Sequence, residues 1–404
     1  MSAPAPADCP WHNLPPPAPS LAAIVVVPVR NEAARLACTL QALAAQRFTC
    51  GQPFEVLLLA NNCDDDSAQL AQHFARDHPE LALHVADTTL PPPLAHIGHV
   101  RRLLMDAACE RLLRGGSPRG VIASTDGDTE VAPDWLARTL AAMQAGADAV
   151  GGRILTDDDG EAAHDAAARR WQRWDTAYRL AREKLASLLD PDPADPWPRH
   201  HQHFGASLAV TAHAYRQVGG VPEVRFLEDE ALVAALRRED FALRHSPLVR
   251  VLTSGRLQGR VEVGLSWQLR QWREQANAAP SLMVEDAQHM LTQLPARRRL
   301  RALWKSRCGD VATLQRAARP LAVALDVHAD WLADQLTAAR TFGLLWEQVQ
   351  RCGLDRPRPQ LPAAQAIKQL RALIAQHTAN GQTVQHLLPP SLGASALRSS
   401  TSSR

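Results

Sequence analysis

The stretch AIVVVPVRNE, residues 23–32, decides the fold of this 404-residue chain. Its first seven residues are apolar and mostly β-branched, which is the pattern of a strand covered on both faces. The next stretch, NEAARLACTLQALAAQ, carries leucines at helical spacing. A buried strand that runs directly into an amphipathic helix predicts a parallel α/β sheet.

The same strand–helix pattern repeats along the first half of the chain. Apolar strand patterns occur in FEVLLLA (54–60), LALHVAD (81–87) and RGVIASTD (119–126). Helical patterns lie between them in SAQLAQHFARDH (67–78) and HVRRLLMDAACERLLR (99–114). This alternation predicts a Rossmann-like, mostly parallel sheet with helices on both of its faces.

The second half of the chain is less regular. FGASLAVT (204–211) and LVRVLTS (248–254) resemble strands, and we expect them in a smaller, mixed sheet. A long helix before them carries Trp171, Trp174 and Tyr178 on one face, a spacing more typical of a core than of a sugar platform. From about residue 276 the pattern is almost entirely helical, with interruptions near Pro320 and at RPRPQLP. Trp304, Trp331 and Trp346 are spaced too far apart for one helix face.

These shifts in pattern divide the chain into predicted regions. Residues 1–20 are rich in Pro and Ala and are expected to form a disordered arm, and the Ser-rich residues 389–404 a disordered tail. Residues 21–275 are expected to form the α/β domain, with a nucleotide-binding half (21–135) and an acceptor half (136–275). Residues 276–388 are expected to form a helical domain.

Composition excludes several classes of protein. The formal charge of +2 and the pI of about 8.2 give no support to a nucleic-acid-binding surface. The seven cysteines are scattered without a CxxC pair, which favours a reducing compartment over a disulfide framework or a zinc ribbon. The apolar run LAAIVVVPV is too short to cross a bilayer, and the N-terminus lacks a basic signal-peptide region. We therefore expect a cytoplasmic protein without a transmembrane segment.

The ends of the predicted parallel strands are polar and acidic. Ligands of doubly wound sheets bind beyond these carboxyl ends, where the chain reads PVRNE, ANNCDDDS and STDGD. The first strand is not followed by GxGxxG or by GxxxxGK[ST], which argues against a dinucleotide-binding oxidoreductase and a phosphate-loop NTPase. Carboxylates two residues apart in an extended segment point to the same side and suit a hard cation such as Mg²⁺ or Mn²⁺.

The order of five motifs resembles the family 2 glycosyltransferases of GT-A fold. They are PVRNE, the polar turn after the second strand, a basic helix, Asp-x-Asp, and a distal Glu-Asp after FGASLAVTAHAYRQVGG (204–220). The resemblance covers roughly residues 21–275. It implies transfer of a hexose-type sugar from a nucleoside-diphosphate-sugar donor to a hydroxyl acceptor, with inversion and with Mn²⁺ or Mg²⁺.

The resemblance also implies roles for individual residues. Asp126 and Asp128 correspond to the metal-binding pair, with Asp126 nearer the ribose. Asp229 corresponds to the catalytic base, with Glu228 as the alternative and Glu230 expected to face solvent. Donor-binding positions are Pro28, Arg30, Asn31, Glu32, Asn61, Asp65, Gly98, Arg101, Asp126, Arg256 and Arg260. Asn61 and Asn62 stand where most relatives have paired Asp residues, so the donor base stays open.

Simpler interpretations compete at several of these positions. Asp126 and Asp128 also fit a polar turn, Asn31 a helix cap, Arg102 a solvated helix face, and Glu228-Asp229 a helix start. Asp157, with the two aspartates that follow it, is expected to cap the long helix. His200, His201 and His203 are adjacent and are expected to diverge, as acceptor-pocket lining. His245 is expected to be a loop histidine, with a place in the metal shell as the alternative.

Two other functions fit parts of the sequence. A non-catalytic nucleotide-sugar-binding or scaffold protein would keep the same fold, although the intact Asp-x-Asp and Glu-Asp motifs count against it. A sugar nucleotidyltransferase would need a Gly-rich loop after the first strand, which PVRNEAARL does not supply. The helical region is also a candidate surface for a homodimer.

Overall fold

A computed structural model describes residues 10–11, 14–18, 20–47, 53–157, 166–260, 262–279, 281–307, 311–352 and 358–379. The strands are β1 (Ala23–Val29), β2 (Phe54–Asn61), β3 (Ala82–Thr88), β4 (Val121–Ser124), β5 (Thr129–Val131), β6 (Ala149–Thr156), β7 (Leu208–Thr211), β8 (Leu243–Thr253), β9 (Met283–Glu285) and β10 (Gln360–Pro362).

The helices surround these strands. They are α1 (Ala33–Ala44), α2 (Ser67–Asp77), α3 (Ile97–Arg114), α4 (Trp135–Gln144), α5 (Ala166–Leu189), α6 (Ala212–Gln217), α7 (Glu228–Arg238), α8 (Leu265–Ala278), α9 (Met290–Lys305), α10 (Val311–Leu325), α11 (Ala329–Ala338), α12 (Phe342–Arg351) and α13 (Ala363–Ala379). Among the described residues, no helix is long and apolar enough to span a membrane.

Eight strands form one twisted sheet in the order β3-β2-β1-β4-β7-β6-β8-β5. Strands β3, β2, β1 and β4 are parallel to one another, and β1 is buried at all seven positions. Strand β7 joins β4 and β6 as an antiparallel partner, whereas β6 and β8 are parallel. The expected second, smaller sheet is wrong, because β7 bonds directly to β4 and extends the first sheet.

The two faces of the sheet carry different helices, because successive residues of a strand point to opposite sides. Val25 and Val27 pack in a cluster with α1 and α4. Ile24 and Val26 pack in a cluster with α3, α6 and α7. The predicted mixed α/β class, with helices on both faces and a helical C-terminal region, is confirmed.

A third core joins the C-terminal region to the α/β part. Helix α5 contributes Trp171 and Tyr178, which pack with residues of α8, β9, α9 and α13. Trp174 is half-buried at the edge of this cluster, so these aromatic residues belong to a core as predicted. The predicted boundary at residues 275–276 falls within α8.

Helices α9 to α12 enclose a fourth core. Trp304, Trp331 and Trp346 lie on α9, α11 and α12 respectively, in line with their sequence spacing. Two local expectations are wrong. Pro320 lies inside α10 and does not interrupt it, and the region also contains the antiparallel pair β9–β10.

The described part of the N-terminal arm is packed on the sheet domain. Trp11 is buried in the same cluster as Ile24 and Leu57. The carbonyl of Pro15 accepts a hydrogen bond of 2.8 Å from Arg111, whose guanidinium also pairs with buried Glu55. These contacts differ from the disordered arm that the composition predicts. Residues 389–404 lie outside the described residues.

Candidate active site

The Asp-Gly-Asp motif lies where β1 and β4 end side by side. The backbone N–H of Thr125 donates to Val26, and Thr129 donates to Asp126 at 3.1 Å, which closes a turn between β4 and β5. The expected extended geometry is therefore wrong, and the two carboxylates are brought together by a turn. Gly127 lets the turn pack closely on the end of β1, since a Cβ there would lie 3.0 Å from a methyl carbon of Val29.

Asp128 is the more buried of the two carboxylates. One of its oxygens pairs with Arg256 Nη2 at 3.1 Å, and the other accepts long hydrogen bonds of 3.4 Å from the hydroxyls of Thr129 and Thr253. Burial raises the pKa of Asp128 to about 6, and repulsion by Glu32 adds to this, although Arg256 opposes it. A cation at this turn would relieve that cost.

Arg256 connects the loop after β8 to the end of β1. Its guanidinium donates to both oxygens of Glu32, at 2.6 and 2.5 Å, in a bidentate pair. Arg260 Nη2 donates to the carbonyl of Asn31 at 2.6 Å. Glu32, Asp128 and Arg256 therefore form one network between elements more than 200 residues apart in sequence.

Arg101 forms a second network on the other side of the turn. Its buried guanidinium donates to Glu228 at 2.7 Å and to Asp126 at 3.1 Å. It also donates to the hydroxyl of Ser124 and, at 3.3 Å, to the carbonyl of Gly205. A Cβ at Gly205 would lie 2.3 Å from Arg101 Nη2, so only glycine fits beside the guanidinium.

The start of α7 holds the predicted catalytic carboxylates. Leu227, just before the helix, has a left-handed φ of 59°, and Glu228 is buried against Arg101. Asp229 accepts from the backbone N–H of Gly205 at 2.7 Å and from that of Glu230 at 2.8 Å. Burial raises the pKa of Asp229, and the negative charge of Glu228 adds to this, although Arg101 and these hydrogen bonds oppose it.

The side chains of the polar loop after β2 and of Asn31 mostly accept hydrogen bonds from backbone N–H groups. Asp65 accepts from the N–H of Ala33 and from Ser67, so it caps the starts of both α1 and α2. Its pKa is lowered, because the hydrogen bonds from Ser67 and Ala33 outweigh burial. The alternative interpretation of Asn31 as a helix cap is wrong, because Glu32 is the N-cap of α1. Asn31 has a left-handed φ of 55° and accepts from the N–H of Asp64.

The remaining residues predicted to bind the sugar donor lie at the ends of β1 and β2 and near the start of α3. Asn61 is buried at the end of β2, and Pro28 lies in β1. Arg30 is exposed and donates to the carbonyl of Ala95 at 3.3 Å. At Gly98 a Cβ would overlap the carbonyl oxygen of Val224, at 1.8 Å, which explains the glycine by packing alone.

Ion pairs thus join seven predicted residues in two networks: Arg101 with Asp126 and Glu228, and Glu32 with Asp128, Arg256 and Arg260. Arg30 and Gly98 lie outside both networks. Arg102 Nη1 donates a hydrogen bond of 2.6 Å to the carbonyl of Val221, so Arg102 has a structural role. Sequence reasoning missed Ser124 and Gly205, although both stand within motifs that were recognised.

The expected capping role of Asp157 is not what the described residues show. Asp157 pairs with Arg35 at 2.6 Å and accepts from the N–H of Gly255 at 2.9 Å. It therefore joins α1 to the loop that carries Arg256. The two aspartates after it lie outside the described residues.

The histidines form a buried cluster behind α7. His245 lies in β8, so its expected place in a loop is wrong. It bonds to His203 at 3.0 Å and to Asp195 at 2.7 Å. Glu230 was expected to face solvent, but it bonds to His203 at 3.0 Å while its side chain stays 44% exposed.

Asp126 and Asp128 fit a hard divalent cation by their chemistry. Both offer carboxylate oxygens, which Mg²⁺ and Mn²⁺ prefer, and the raised pKa of Asp128 marks a buried charge that Arg256 compensates only in part. Among the described residues, no group of three or more His, Cys, Asp or Glu is arranged to hold a metal ion. The other ligands would have to come from outside these residues.

Comparison with known proteins gives a family match in this region. Residues 24–192 match the sequence model of glycosyl transferase family 2, and this stretch contains Glu32, Arg101, Asp126 and Asp128. The predicted resemblance is confirmed there. No curated protein matches the chain.

Two similar solved structures are complexes with nucleotide sugars. The mannosyltransferase PcManGT from Pyrobaculum calidifontis, in complex with GDP-Man and Mn²⁺, is 16% identical, with a TM-score of 0.40 over 91% of this chain and 88% of that chain. TarS 1–349 from S. aureus, in complex with UDP-GlcNAc, is 15% identical, with a TM-score of 0.40 over 81% and 90%.

The histidine cluster generates a prediction about pH. Burial, followed by the charges of Arg179 and Arg153, lowers the pKa of His201 from 6.5 to about 3. His201 is therefore neutral when folded but binds a proton when unfolded, so stability is lost as pH falls from about 6.5 towards 3. We expect His201 to account for about 1 kcal/mol of the unfolding free energy lost between pH 7.0 and 5.5.

Urea unfolding of His201→Gln at both pH values checks this, because the variant should lose about 1 kcal/mol less than the wild type. His213→Gln, at an exposed histidine, is the control and should behave like the wild type. An equal pH-dependent loss in His201→Gln and the wild type would contradict the prediction.

Proposed function

We propose, on the premise that residues 24–192 form a family 2 glycosyltransferase domain, that this chain transfers a hexose-type sugar from a nucleoside diphosphate donor to a hydroxyl acceptor with inversion. One observation carries the proposal. The acidic turn Asp126-Gly127-Asp128 lies between Arg256 and Arg101, and Arg101 joins it directly to the start of α7. A donor-side acidic turn and an acceptor-side carboxylate pair are thus held by one side chain.

The donor side would bind the nucleoside diphosphate. Arg256 and Arg260, beyond the end of β8, suit its phosphates, because guanidinium groups recognise phosphate oxygens. Asp126 and Asp128 would hold Mn²⁺ or Mg²⁺. The cation, when bound, supplies positive charge that neutralises the leaving diphosphate.

Binding measurements can identify the nucleotide base of the donor. Asn62 uses its amide to donate to, and accept from, the backbone of Leu90, so it shapes the loop after β3. Asn61 is the amide that ends β2. Because an amide both donates and accepts, UDP-, GDP- and dTDP-sugars should be compared directly.

Asp229 is the proposed base. In an in-line displacement the acceptor hydroxyl loses its proton as its oxygen bonds to the anomeric carbon, and the nucleoside diphosphate leaves with the electron pair of the broken bond. The raised pKa of Asp229 makes this carboxylate a better proton acceptor. Glu228 is the less suitable candidate, since it is buried and paired with Arg101.

The alternative is a protein that binds nucleotide sugars without transferring them. Such a protein would bind the donor but would neither transfer the sugar nor hydrolyse the donor. A homodimer through the C-terminal helices and a cytoplasmic location stay predictions. Four cysteines of the described chain are free thiols, as a reducing compartment would allow: Cys38, Cys63, Cys109 and Cys352.

The metal assignment predicts the behaviour of Asp128→Asn. The variant should lose Mn²⁺-dependent binding of nucleoside diphosphates, because an amide is a weaker ligand than a carboxylate. It should stay folded, since burial already raises the pKa of Asp128 and a neutral group is tolerated there. Calorimetric titration of UDP and GDP with and without Mn²⁺ measures this.

The matched control for this prediction is Asp134→Asn, at a partly exposed aspartate that pairs with Arg138 on α4. It should bind as the wild type does. Unchanged Mn²⁺-dependent affinity in Asp128→Asn would refute the metal assignment.

The base assignment predicts the behaviour of Asp229→Asn. Donor binding should be kept, whereas transfer should fall by about a hundredfold or more, the contribution of a general base. Asp229 now accepts hydrogen bonds from two backbone N–H groups, and in the variant the amide nitrogen would face one of them without accepting. We therefore expect a stability loss of about 1–3 kcal/mol.

Initial rates with saturating donor, corrected for the folded fraction, measure this effect. Glu223→Gln, at an exposed glutamate before α7, is the control. Normal turnover by Asp229→Asn, or a product that retains the anomeric configuration of the donor, would rule out the assignment.

A further inference from the structure

Four titratable side chains form an unbroken hydrogen-bonded chain behind the start of α7. Asp195 Oδ2 lies 2.7 Å from His245 Nδ1, His245 Nε2 lies 3.0 Å from His203 Nδ1, and His203 Nε2 lies 3.0 Å from Glu230 Oε2. Asp195, His245 and His203 are buried. Glu230 is the partly exposed end of the chain.

The number of protons in this chain follows from its geometry. Each of the three hydrogen bonds needs one proton between its two heavy atoms. Two neutral imidazoles carry only two ring protons, and ionised carboxylates carry none. The chain therefore holds one proton more than two neutral histidines supply.

The surroundings place the extra proton next to Glu230. The hydrogen bond from His203 lowers the pKa of Glu230 and outweighs burial, so its carboxylate stays ionised. Burial lowers the pKa of His245, although Asp195 opposes this, so His245 stays neutral. The third proton therefore lies in the hydrogen bond between His203 Nε2 and Glu230 Oε2.

Other charges lie close to the chain. The positive charges of Arg237 and Arg179 lower the pKa of Glu230, and that of Arg237 also lowers the pKa of His245. Arg199 lowers the pKa of Asp195, and Arg244 forms an ion pair with Asp195. His200 and Arg153 lie beside the histidines, and Glu183 faces Arg237 and pairs with Arg199. The arginines oppose a cation on His203, so the carboxylates of Asp195 and Glu230 at the two ends are required to hold it.

The chain meets the proposed base through two backbone groups. Gly205 follows His203 by two residues and donates its N–H to Asp229, and the N–H of Glu230 donates to the other oxygen of Asp229. The carbonyl of Gly205 accepts from Arg101. Segment 203–205 therefore contacts the histidine chain, the base and the Arg101 network at once.

We propose that Glu230, His203, His245 and Asp195 form a proton relay that resets the base, a role that rests on the proposed function of Asp229. The proton that the acceptor hydroxyl gives to Asp229 leaves that carboxylate through cleft water and reaches Glu230. Glu230, the partly exposed end, passes the proton that the chain already holds to solvent, and the proton from Asp229 takes its place between Glu230 Oε2 and His203 Nε2. The number of protons in the chain is therefore the same before and after each turnover. No oxidant, reductant or co-reactant is needed, because only a proton moves.

The proton count can be measured without any substrate. In protein labelled with ¹⁵N-histidine, NMR at pH 7.5 should show His203 with both ring nitrogens protonated and His245 as the neutral Nδ1–H tautomer. In Glu230→Gln, the amide can donate to His203 Nε2, so His203 should become neutral with a proton on Nδ1 only. His213→Gln, outside the chain, should leave both signals unchanged.

Kinetics test the role in the reaction. UDP-, GDP- and dTDP-sugars would be tested as donors, with water or sugars as acceptors. Glu230→Gln and His245→Gln should bind the donor as the wild type does and stay folded. Their turnover should fall at least about tenfold, and the pH dependence of turnover should change. A structural role alone would lower stability without moving the pH profile. An unchanged profile in both folded variants, or a singly protonated His203 in the wild type, would overturn the relay.

The two possible failures are distinguishable. Turnover by the wild type together with a singly protonated His203 contradicts the relay but leaves the proposed function standing. A doubly protonated His203 without turnover of any donor contradicts the proposed function, and the catalytic role of the relay fails with it.

Discussion

The buried guanidinium of Arg101 is the constraint on which the rest of the site depends. Burying a charged side chain costs several kcal/mol unless partners compensate it, so a guanidinium at this depth must be surrounded by acceptors. Glu228, Asp126, Ser124 and the carbonyl of Gly205 supply them. Although burial alone would lower the pKa of Arg101, the charges of Asp126 and Glu228 raise it, so the residue stays charged.

Several local features follow from satisfying this one side chain. Gly205 has to be glycine because any side chain there would strike the guanidinium. Glu228 can be buried at a helix start because Arg101 neutralises it, and the positive end of the helix also favours a carboxylate there. The acidic turn 126–128 and the start of α7 are thereby held in fixed relation. Arg256 closes the other side of the turn by the same chemistry with Glu32 and Asp128.

The sequence predicted the parts of this architecture that depend on local pattern. Buried strands, amphipathic helices and polar strand ends are written in periodicity, and strand ends converge wherever strands are parallel, so Asp126, Asp128 and Glu32 could be grouped in advance. The single sheet could not be predicted, because the pairing of β7 with β4 joins segments about 90 residues apart. Periodicity does not report such partners.

The side-chain networks show the same limit. The bond between Asp195 and His245 joins residues 50 apart in sequence, and no motif marks either of them. Asp65 was grouped correctly with the polar turn, yet its carboxylate caps two helices, a use that depends on where α1 and α2 begin. Pro320 sits inside a helix because tertiary packing with α9 and α11 overrides its local preference.

The coupling between Arg101 and Glu228 is the most direct test of this account. It can be measured as a double-mutant cycle of unfolding free energies with Arg101→Met, Glu228→Met and the double variant. Each single variant removes the main partner of a buried charge and should lose about 3–5 kcal/mol, whereas the double variant should recover at least about 2 kcal/mol of the summed loss. Losses that add to within about 0.5 kcal/mol would contradict the central place given to Arg101.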